Sequence, residues 1–403
     1  MKLNRDAVFK YSFPILLSFL PIIVVFFEEK PVPFVIAALV LFFIMEKNKS
    51  RNFTEHKTLL RPYLFVTVVY CLYTILSLKI NSSVKILERQ TSMILIPLII
   101  FSYNFHDFQY RLFFKTFIYT MLAFGVFSFL VLIVFAINNA DWINTMNEMQ
   151  QNSTYLQFKF PHLIGVHPTY WSYLLIIGNI FLLCASSLKL EIKQYWILIF
   201  LLFFNFNLFF LSARTPIVIN VLIHIGWLTL YMRKNNVKKT IKLILCTSFS
   251  LILFFLISLP YVRAKFSVIG NDERMFLWPK AIEQIKQNYF LLGEGLGEGS
   301  LVLKKFITHK GDSRINYNGL DLHNQYLTHY LDMGLLGIVS LGYLFLFPLL
   351  ISNFKLRSSS FPIYAISFLF VVASFTESVF YVIKGIIIFV VFSSVLLKYY
   401  KTN

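Results

Sequence analysis

Residues 113–136 read FFKTFIYTMLAFGVFSFLVLIVFA, an apolar run in which Lys115 is the only charged residue. A helix needs about 20 such residues to cross the hydrocarbon core of a bilayer. The whole chain of 403 residues is similar, with 57% hydrophobic residues, 14% charged residues and a mean hydropathy of +0.68. Soluble domains contain about 45–50% apolar and about 25% charged residues. The composition therefore indicates an integral membrane protein and excludes soluble enzymes, secreted disulfide scaffolds, disordered chains and collagen-like chains.

We predict an all-α, polytopic bundle of about twelve transmembrane helices, because the apolar runs are continuous and do not alternate as the strands of a β-barrel would. The predicted spans lie at 11–27, 32–45, 62–78, 91–103, 113–136, 164–185, 195–212, 215–231, 241–260, 325–352, 361–377 and 380–397. No small-residue cleavage site follows the first run, so we interpret it as a retained span and not as a signal peptide. The predicted organisation is helices 1–9 within 1–260, a large loop at 261–323, and helices 10–12 within 324–403.

Basic residues outnumber acidic residues by 37 to 19, which gives a formal net charge of +18. In a membrane protein this excess has two explanations that can hold together. Lys and Arg in cytoplasmic loops fix the orientation of the chain, and basic groups bind phosphates or anionic headgroups. The basic clusters at 46–51 and 231–239 predict a cytoplasmic N-terminus and place the loop 261–323 outside. The three cysteines all lie in apolar runs and have neither metal-site spacing nor a disulfide framework.

The loop at 261–323 is too long to be a simple connection, and loops of this length are usually functional or disordered. Within it, Met275, Trp278, Ile282 and Ile285 recur at helical spacing, with charged and polar residues between them. This pattern predicts an amphipathic helix that lies on the membrane surface or on the bundle.

Two arginines are the first candidate functional residues. Arg214 lies between two apolar spans, where a charged group is costly and is a functional candidate; the alternative is an interfacial arginine that reaches the headgroups. Arg274 opens the loop helix, where the helix dipole favours the acids Asp272 and Glu273 and offers nothing to an arginine. The alternative for Arg274 is an exposed partner of these two acids.

Two further blocks lie in the same loop. The run 293–299, GEGLGEG, superficially resembles a dinucleotide-binding loop, but that fingerprint needs a preceding strand, and here a helix precedes it. We expect the glycines instead to let the backbone turn sharply and approach a ligand or another helix. His323 and Asn324 stand at the outer mouth of the tenth span, where a histidine could be a general base near neutral pH or a polar residue at a helix start. His329 is predicted to be a packing histidine.

Topology adds weight to these candidates. The chain is predicted to cross the membrane twice between Arg214 and Arg274, and Arg274 shares one loop with His323, so all three are expected on one face. Arginine binds phosphate oxygens in a bidentate fork, and each charge-assisted bond contributes about 1.5–3 kcal/mol. The three residues therefore predict a site for a phosphorylated lipid substrate. His167 and Glu377, near the outer ends of the sixth and eleventh spans, are weaker candidates that could equally be interfacial polar residues.

The order of these blocks resembles the O-antigen ligase family, which also contains polysaccharide polymerases. Arg214 follows a span, Arg274 opens RMFLWPKAIEQI, the run LLGEGLG follows, and His323-Asn-x-x-Leu precedes Gly334-x-x-Gly337. The specific part of this resemblance covers residues 274–337, and the twelve-span plan fits the whole chain. Asp332 stands near Gly334 where many relatives have Glu, and it carries no predicted role.

The resemblance implies a GT-C-like membrane glycosyltransferase in the bacterial inner membrane. Such an enzyme takes a glycan from undecaprenyl pyrophosphate and passes it to a hydroxyl of lipid A-core on the periplasmic face, with inversion at the anomeric carbon. His323 matches the family's proposed base, and Arg214 and Arg274 match arginines thought to bind the pyrophosphate. Asn324, His167 and Glu377 form a second rank of site residues.

The resemblance also implies that no metal and no nucleotide cofactor takes part, which agrees with the absence of a carboxylate cluster from the loop sequence. The implied partners are the lipid-linked glycan donor, a lipid A-core or glycan acceptor and the lipid bilayer, without nucleic acid.

Two alternatives stay open from the sequence. A polymerase of O-antigen, capsule or exopolysaccharide would use the same chemistry with a second lipid-linked glycan as acceptor. A transporter or flippase of lipid-linked sugars would line a path at the bilayer midplane with polar residues or broken helices. The notable polar residues of this chain cluster at the outer mouth, which favours an enzyme.

Overall fold

A computed structural model gives the structure of the chain. It describes residues 5–27, 31–45, 49–77, 80–138, 155–211, 213–234, 273–288, 291–309, 321–351 and 359–402. Every regular element in these ranges is a helix, which confirms the all-α prediction. The described chain divides into two compact units. Unit 1 comprises 1–116, 273–355 and 363–403, and unit 2 comprises 117–272 and 356–362.

The α-helices are labelled here in chain order. They are α1 (Arg5–Phe26), α2 (Val32–Met45), α3 (Lys49–His56), α4 (Arg61–Leu76), α5 (Ile80–Ser102), α6 (Asp107–Asn138), α7 (Tyr155–Ile164), α8 (Pro168–Leu183), α9 (Gln194–Leu211), α10 (Arg214–Lys234), α11 (Glu273–Asn288), α12 (Gly299–His309), α13 (Gln325–Ile351), α14 (Phe361–Ala373) and α15 (Ile383–Thr402). Short 3-10 helices precede α4 and α15, at Lys57–Leu60 and Val379–Tyr381.

Six of the described segments are long and apolar enough to cross a bilayer. They are Asn52–Leu76, Asp107–Phe135, Gln194–Leu211, Arg214–Arg233, Gln325–Ile351 and Ile383–Thr402. Shorter apolar helices cover four more predicted spans, at Tyr11–Phe26, Val32–Met45, Pro168–Leu183 and Phe361–Ala373. The span predicted at 91–103 is the second half of α5, and the span predicted at 241–260 lies outside the described residues. The protein is therefore a multi-pass membrane protein, and the total of twelve spans stays a prediction.

Unit 1 is built around α4, α5, α13 and α15. Helix α5 packs against α4 and α15, and α4 packs against α13. A cluster of four phenylalanines joins α13, α14 and α15 to the 3-10 helix between them: Phe345, Phe370, Phe380 and Phe389. Phe380 belongs to the short connection between α14 and α15, so this aromatic cluster holds that connection on the bundle.

The loop helices α11 and α12 pack on α13 through their own apolar cluster. Its buried members are Leu277, Ala281, Ile285, Leu303, Ile307, Leu322 and Leu331. The predicted amphipathic helix is present as α11, but its predicted apolar face was only half right. Ile285 and Trp278 pack into the cluster, whereas Met275 and Ile282 are exposed. The helix has two apolar strips, and periodicity alone does not tell which strip meets the bundle.

Unit 2 contains α7 to α10 and most of α6. Three asparagines from α8, α9 and α10 hydrogen-bond to one another: the Asn179 amide donates to Asn220 Oδ1 at 3.0 Å, and the Asn220 amide donates to Asn205 Oδ1 at 2.6 Å. In an apolar environment a polar side chain needs a partner, so such bonds between helices hold them together. This triad fixes α10, the helix that begins with Arg214, against α8 and α9.

Candidate functional site

Four ionisable side chains meet in unit 1: Arg274, Asp321, His323 and Glu377. Arg274 Nη2 lies 3.8 Å from Glu377 Oε1, and His323 Nδ1 lies 3.4 Å from Glu377 Oε2. His323 Nδ1 also lies 3.7 Å from Asp321 Oδ2. Glu377 thus stands between the guanidinium and the imidazole. We call Arg274, His323 and Glu377 the mouth cluster.

The loop conformation aims His323 toward the carboxylates. Its φ is +46°, in the left-handed region that non-glycine residues rarely adopt. The His323 backbone N–H donates to Asp321 Oδ1 at 2.9 Å, which stabilises this turn. The indole N–H of Trp278 donates to the Leu322 carbonyl at 2.9 Å, which ties α11 to the residue before His323. The helix that carries Arg274 is therefore fixed directly to the turn that carries His323.

Asn324 and Gln325 fix the start of α13. Asn324 Oδ1 accepts the Leu327 N–H at 3.0 Å as an N-terminal cap. The Gln325 backbone N–H donates to the Ser374 carbonyl at 2.8 Å, and Gln325 Oε1 accepts the Phe380 N–H at 2.6 Å. The side chain of Asn324 is thus engaged in the fold, and that of Gln325 holds the connection between α14 and α15 beside the start of α13.

Further bonds hold that connection, which carries Glu377. The Ser378 hydroxyl donates to Asp321 Oδ1 at 2.7 Å, so Asp321 accepts bonds from both sides of the mouth cluster. Arg89 on α5 donates to the Tyr381 carbonyl at 3.1 Å. A carboxylate on a loop pinned in this way keeps its position without a bound ligand, which favours a preorganised site.

The surroundings of His323 change its protonation. The hydrogen bond to Glu377 raises the pKa of the imidazole above its ordinary value of 6.5, and the negative charge of Asp321 raises it further. Burial and the positive charge of Arg274 act in the opposite direction but do not cancel this rise. A higher pKa makes the neutral imidazole a stronger base, and it also delays the appearance of the neutral form as the pH rises.

The glycine run is organised by Asp332, a residue for which no role was predicted from the sequence. Asp332 Oδ2 and Oδ1 accept the backbone N–H groups of Gly297 and Gly299, each at 2.8 Å, and the Tyr381 hydroxyl also donates to Oδ2. The Asp332 carbonyl accepts the Gly295 N–H at 2.9 Å. We call Asp332 and these donors the Asp332 clasp. It ties the glycine run and the end of the Glu377 connection to α13.

Close backbone contact explains the glycines. Gly334 has φ +57° and ψ −148°, which breaks α13 at this point, and a Cβ there would collide with the Leu291 carbonyl. Gly293 has φ +67°, and a Cβ on it would lie 2.5 Å from the Gly334 nitrogen. The expectation that the glycines of 293–299 turn sharply and approach another helix is confirmed at Gly293, and that helix is α13.

His329 is the packing histidine that the sequence predicted. Its side chain is fully buried, with Nε2 3.0 Å from the Tyr70 hydroxyl and Nδ1 2.5 Å from the Gln325 amide nitrogen. Its ring also lies edge-on to those of Tyr70 and Tyr381. Both ring nitrogens are therefore used within the bundle.

The other two predicted site residues belong to unit 2. Arg214 is the first residue of α10 and is partly exposed. His167 precedes Pro168 at the start of α8, where it is exposed and lies against Tyr170, with ring centroids 5.3 Å apart. Their part in one site with the mouth cluster remains a proposal.

Residues 197–342 match the family model described as O-Antigen ligase. The resemblance to that family is confirmed over this segment. The segment includes most of α9, all of α10 and the loop helices, and it contains Arg214, Arg274 and His323. No curated protein matches the chain. The O-antigen ligase match and the apolar helices support a membrane protein of polysaccharide biosynthesis with ligase-like or polymerase-like function.

Proposed function

We propose that the protein is a membrane glycosyltransferase of the O-antigen ligase type. It would move a glycan from undecaprenyl pyrophosphate to a hydroxyl of lipid A-core at the periplasmic face of the bacterial inner membrane. The observation that carries the proposal is the mouth cluster, in which Glu377 holds Arg274 and His323 within 3.8 Å of its carboxylate. The family match over 197–342 supports the substrate class.

In the proposed reaction His323 is the general base. With the proton on Nδ1 directed at Glu377, Nε2 is the unprotonated nitrogen that accepts the proton of the acceptor hydroxyl. The acceptor oxygen forms a bond to the anomeric carbon as the bond from that carbon to the pyrophosphate oxygen breaks. The lipid pyrophosphate leaves with the electron pair, and displacement from the opposite side inverts the anomeric centre.

The proposed role of the arginines is to bind the pyrophosphate. Negative charge grows on the leaving oxygen in the transition state, and a fixed guanidinium stabilises it more there than in the ground state. Arg274 and Arg214 are the two arginines proposed for this role. The donor brings its own leaving group, so the proposed mechanism needs no metal and no nucleotide.

A reconstitution assay tests the proposal. The purified protein in liposomes would receive labelled undecaprenyl-pyrophosphate glycan with either lipid A-core or a second lipid-linked glycan as acceptor. Transfer to lipid A-core is the expected result. Chain extension of the lipid-linked glycan alone would make the protein a polymerase, and translocation of the donor across the bilayer without transfer would contradict an enzyme of either kind.

Replacing Arg274 with Ala should weaken donor use. Loss of a charge-assisted bond costs about 1.5–3 kcal/mol, so we expect kcat/KM for the lipid-linked donor to fall roughly 10- to 150-fold. Lys280→Ala is the matched control, since it removes one positive charge from the same helix, where Lys280 pairs with Glu283. Steady-state kinetics with each substrate varied in turn measures the effect. A change confined to the acceptor would count against a pyrophosphate role.

The Glu377→Gln variant should move the pH profile of transfer. The neutral form of His323 is the active one, so the rate should rise with pH through a pKa above 6.5. Gln lacks the negative charge that raises the pKa of His323, so the increase in transfer rate should occur at lower pH. Glu88→Gln, an exposed acid on α5, should leave the profile in place. An unmoved profile in Glu377→Gln would remove this carboxylate from the control of His323.

A further inference from the structure

The break in α13 separates polar from apolar sequence. Before Gly334 the helix carries Gln325, His329 and Asp332, and after it residues 335–351 carry no charge. This second part is about 25 Å long at 1.5 Å per residue, close to the hydrocarbon thickness of about 30 Å. The part after Gly334 is therefore almost long enough to cross the hydrocarbon core by itself, within the longer apolar segment Gln325–Ile351.

Exposed side chains mark the side of the apolar part that faces lipid. Leu335 is 40% exposed and Val339 is 49% exposed, and they stand four residues apart on one helical face. Leu346 and Leu350 are also exposed further along. On a helix that crosses the bilayer, such apolar side chains contact acyl chains.

Leu291 and Leu292 continue this surface from the loop. The Leu335 N–H donates to the Leu291 carbonyl at 3.2 Å, which places Leu291 at the first turn of the apolar part. Leu291 is 61% exposed and Leu292 is 74% exposed. Adjacent exposed leucines are costly in water and favourable at the boundary between headgroups and acyl chains.

We propose that Leu291 and Leu292 insert into the acyl-chain boundary of the bilayer, on the side of the membrane that carries the mouth cluster. The position follows from the hydrogen bond to Leu335, which fixes the two leucines at the level where the lipid-facing surface of α13 starts. The Asp332 clasp begins four residues after Leu291, at Gly295. The membrane contact therefore sets the height of the clasp relative to the lipid headgroups.

The proposed contact of Leu291 and Leu292 with lipid does not depend on which reaction the protein catalyses. Its consequence for catalysis rests on the proposed function, since a pyrophosphate in the headgroup layer is reached only if the mouth cluster is held at a fixed height. The experiment therefore measures lipid contact separately from transfer.

Photolabelling of the unmodified chain tests the contact. The protein would be reconstituted with a phospholipid that carries a diazirine in its acyl chain, irradiated and mapped by mass spectrometry. Adducts are expected on Leu291 and Leu292 as well as on Val339, and none on Lys305, an exposed residue of α12. Labelled Val339 with unlabelled Leu291 and Leu292 would overturn the proposal.

A spin label gives a second measurement. A nitroxide on Leu292→Cys should collide several-fold more often with oxygen than with a water-soluble nickel complex. The same result is expected for Val339→Cys. A nitroxide on Lys305→Cys should collide more often with the nickel complex than with oxygen. Values at Leu292→Cys that match Lys305→Cys would overturn the proposal. Spin–spin coupling between two copies of Leu292→Cys would assign this surface to a second copy of the chain. If lipid contact is found but transfer is not, the proposed function fails and the membrane contact stands.

Discussion

Replacing His323 with Ala is expected to abolish detectable glycan transfer. A positioned general base contributes about 10²- to 10⁴-fold to a rate, and this variant removes the imidazole that Glu377 and Asp321 orient. The protein should still fold, because the His323 side chain is 45% exposed and fills no part of the core. Transfer of labelled glycan by the reconstituted variant, at equal protein in the membrane, measures the effect.

His106→Ala is the matched control for this experiment. His106 is exposed and lies just after the C-terminal end of α5. The glycine run contacts the other end of this helix, where the Ser83 hydroxyl donates to the Leu296 carbonyl. Its removal should leave transfer unchanged. Full activity of His323→Ala in membranes would remove His323 from the mechanism, and the mouth cluster would then need another base.

The helices were the most predictable part of the protein. Whether a run such as 113–136 or 325–352 crosses a bilayer depends on its own length and apolarity, which a sequence shows directly. The order of blocks around Arg274 and His323 was also visible, because these residues lie in one loop. The packing role of His329 followed from its place inside an apolar helix, and the structure confirms it.

The contacts between distant segments were not predictable from these patterns. Glu377 comes 54 residues after His323, and no sequence pattern in either segment predicts that their side chains lie 3.4 Å apart. The choice of the buried strip on α11 failed for the same reason, since it depends on which surface of α13 the helix meets. Asp332 looked like one more polar residue near a glycine, and its role appears only when the glycine run is folded against it.

The second large effect is expected for Asp332→Ala. This change leaves the N–H groups of Gly297 and Gly299 and the hydroxyl of Tyr381 without their acceptor. Each buried donor left unsatisfied costs about 1–3 kcal/mol, so the variant should lose about 3 kcal/mol or more. Domains are stable by only about 5–15 kcal/mol, so a clear fall in the unfolding temperature in detergent is expected.

Two further variants distinguish the effect of losing the hydrogen bonds of the Asp332 clasp from the effect of losing a negative charge. Asp332→Asn keeps one acceptor oxygen but turns an NH₂ group toward a donor, so its loss of stability should lie between that of Asp332→Ala and wild type. Glu88→Ala removes an exposed carboxylate from α5 and should leave the unfolding temperature unchanged. An Asp332→Ala protein as stable as Glu88→Ala would show that the glycine run holds its place without the carboxylate. The close contacts at Gly293 and Gly334 would then have to fix the loop by packing alone.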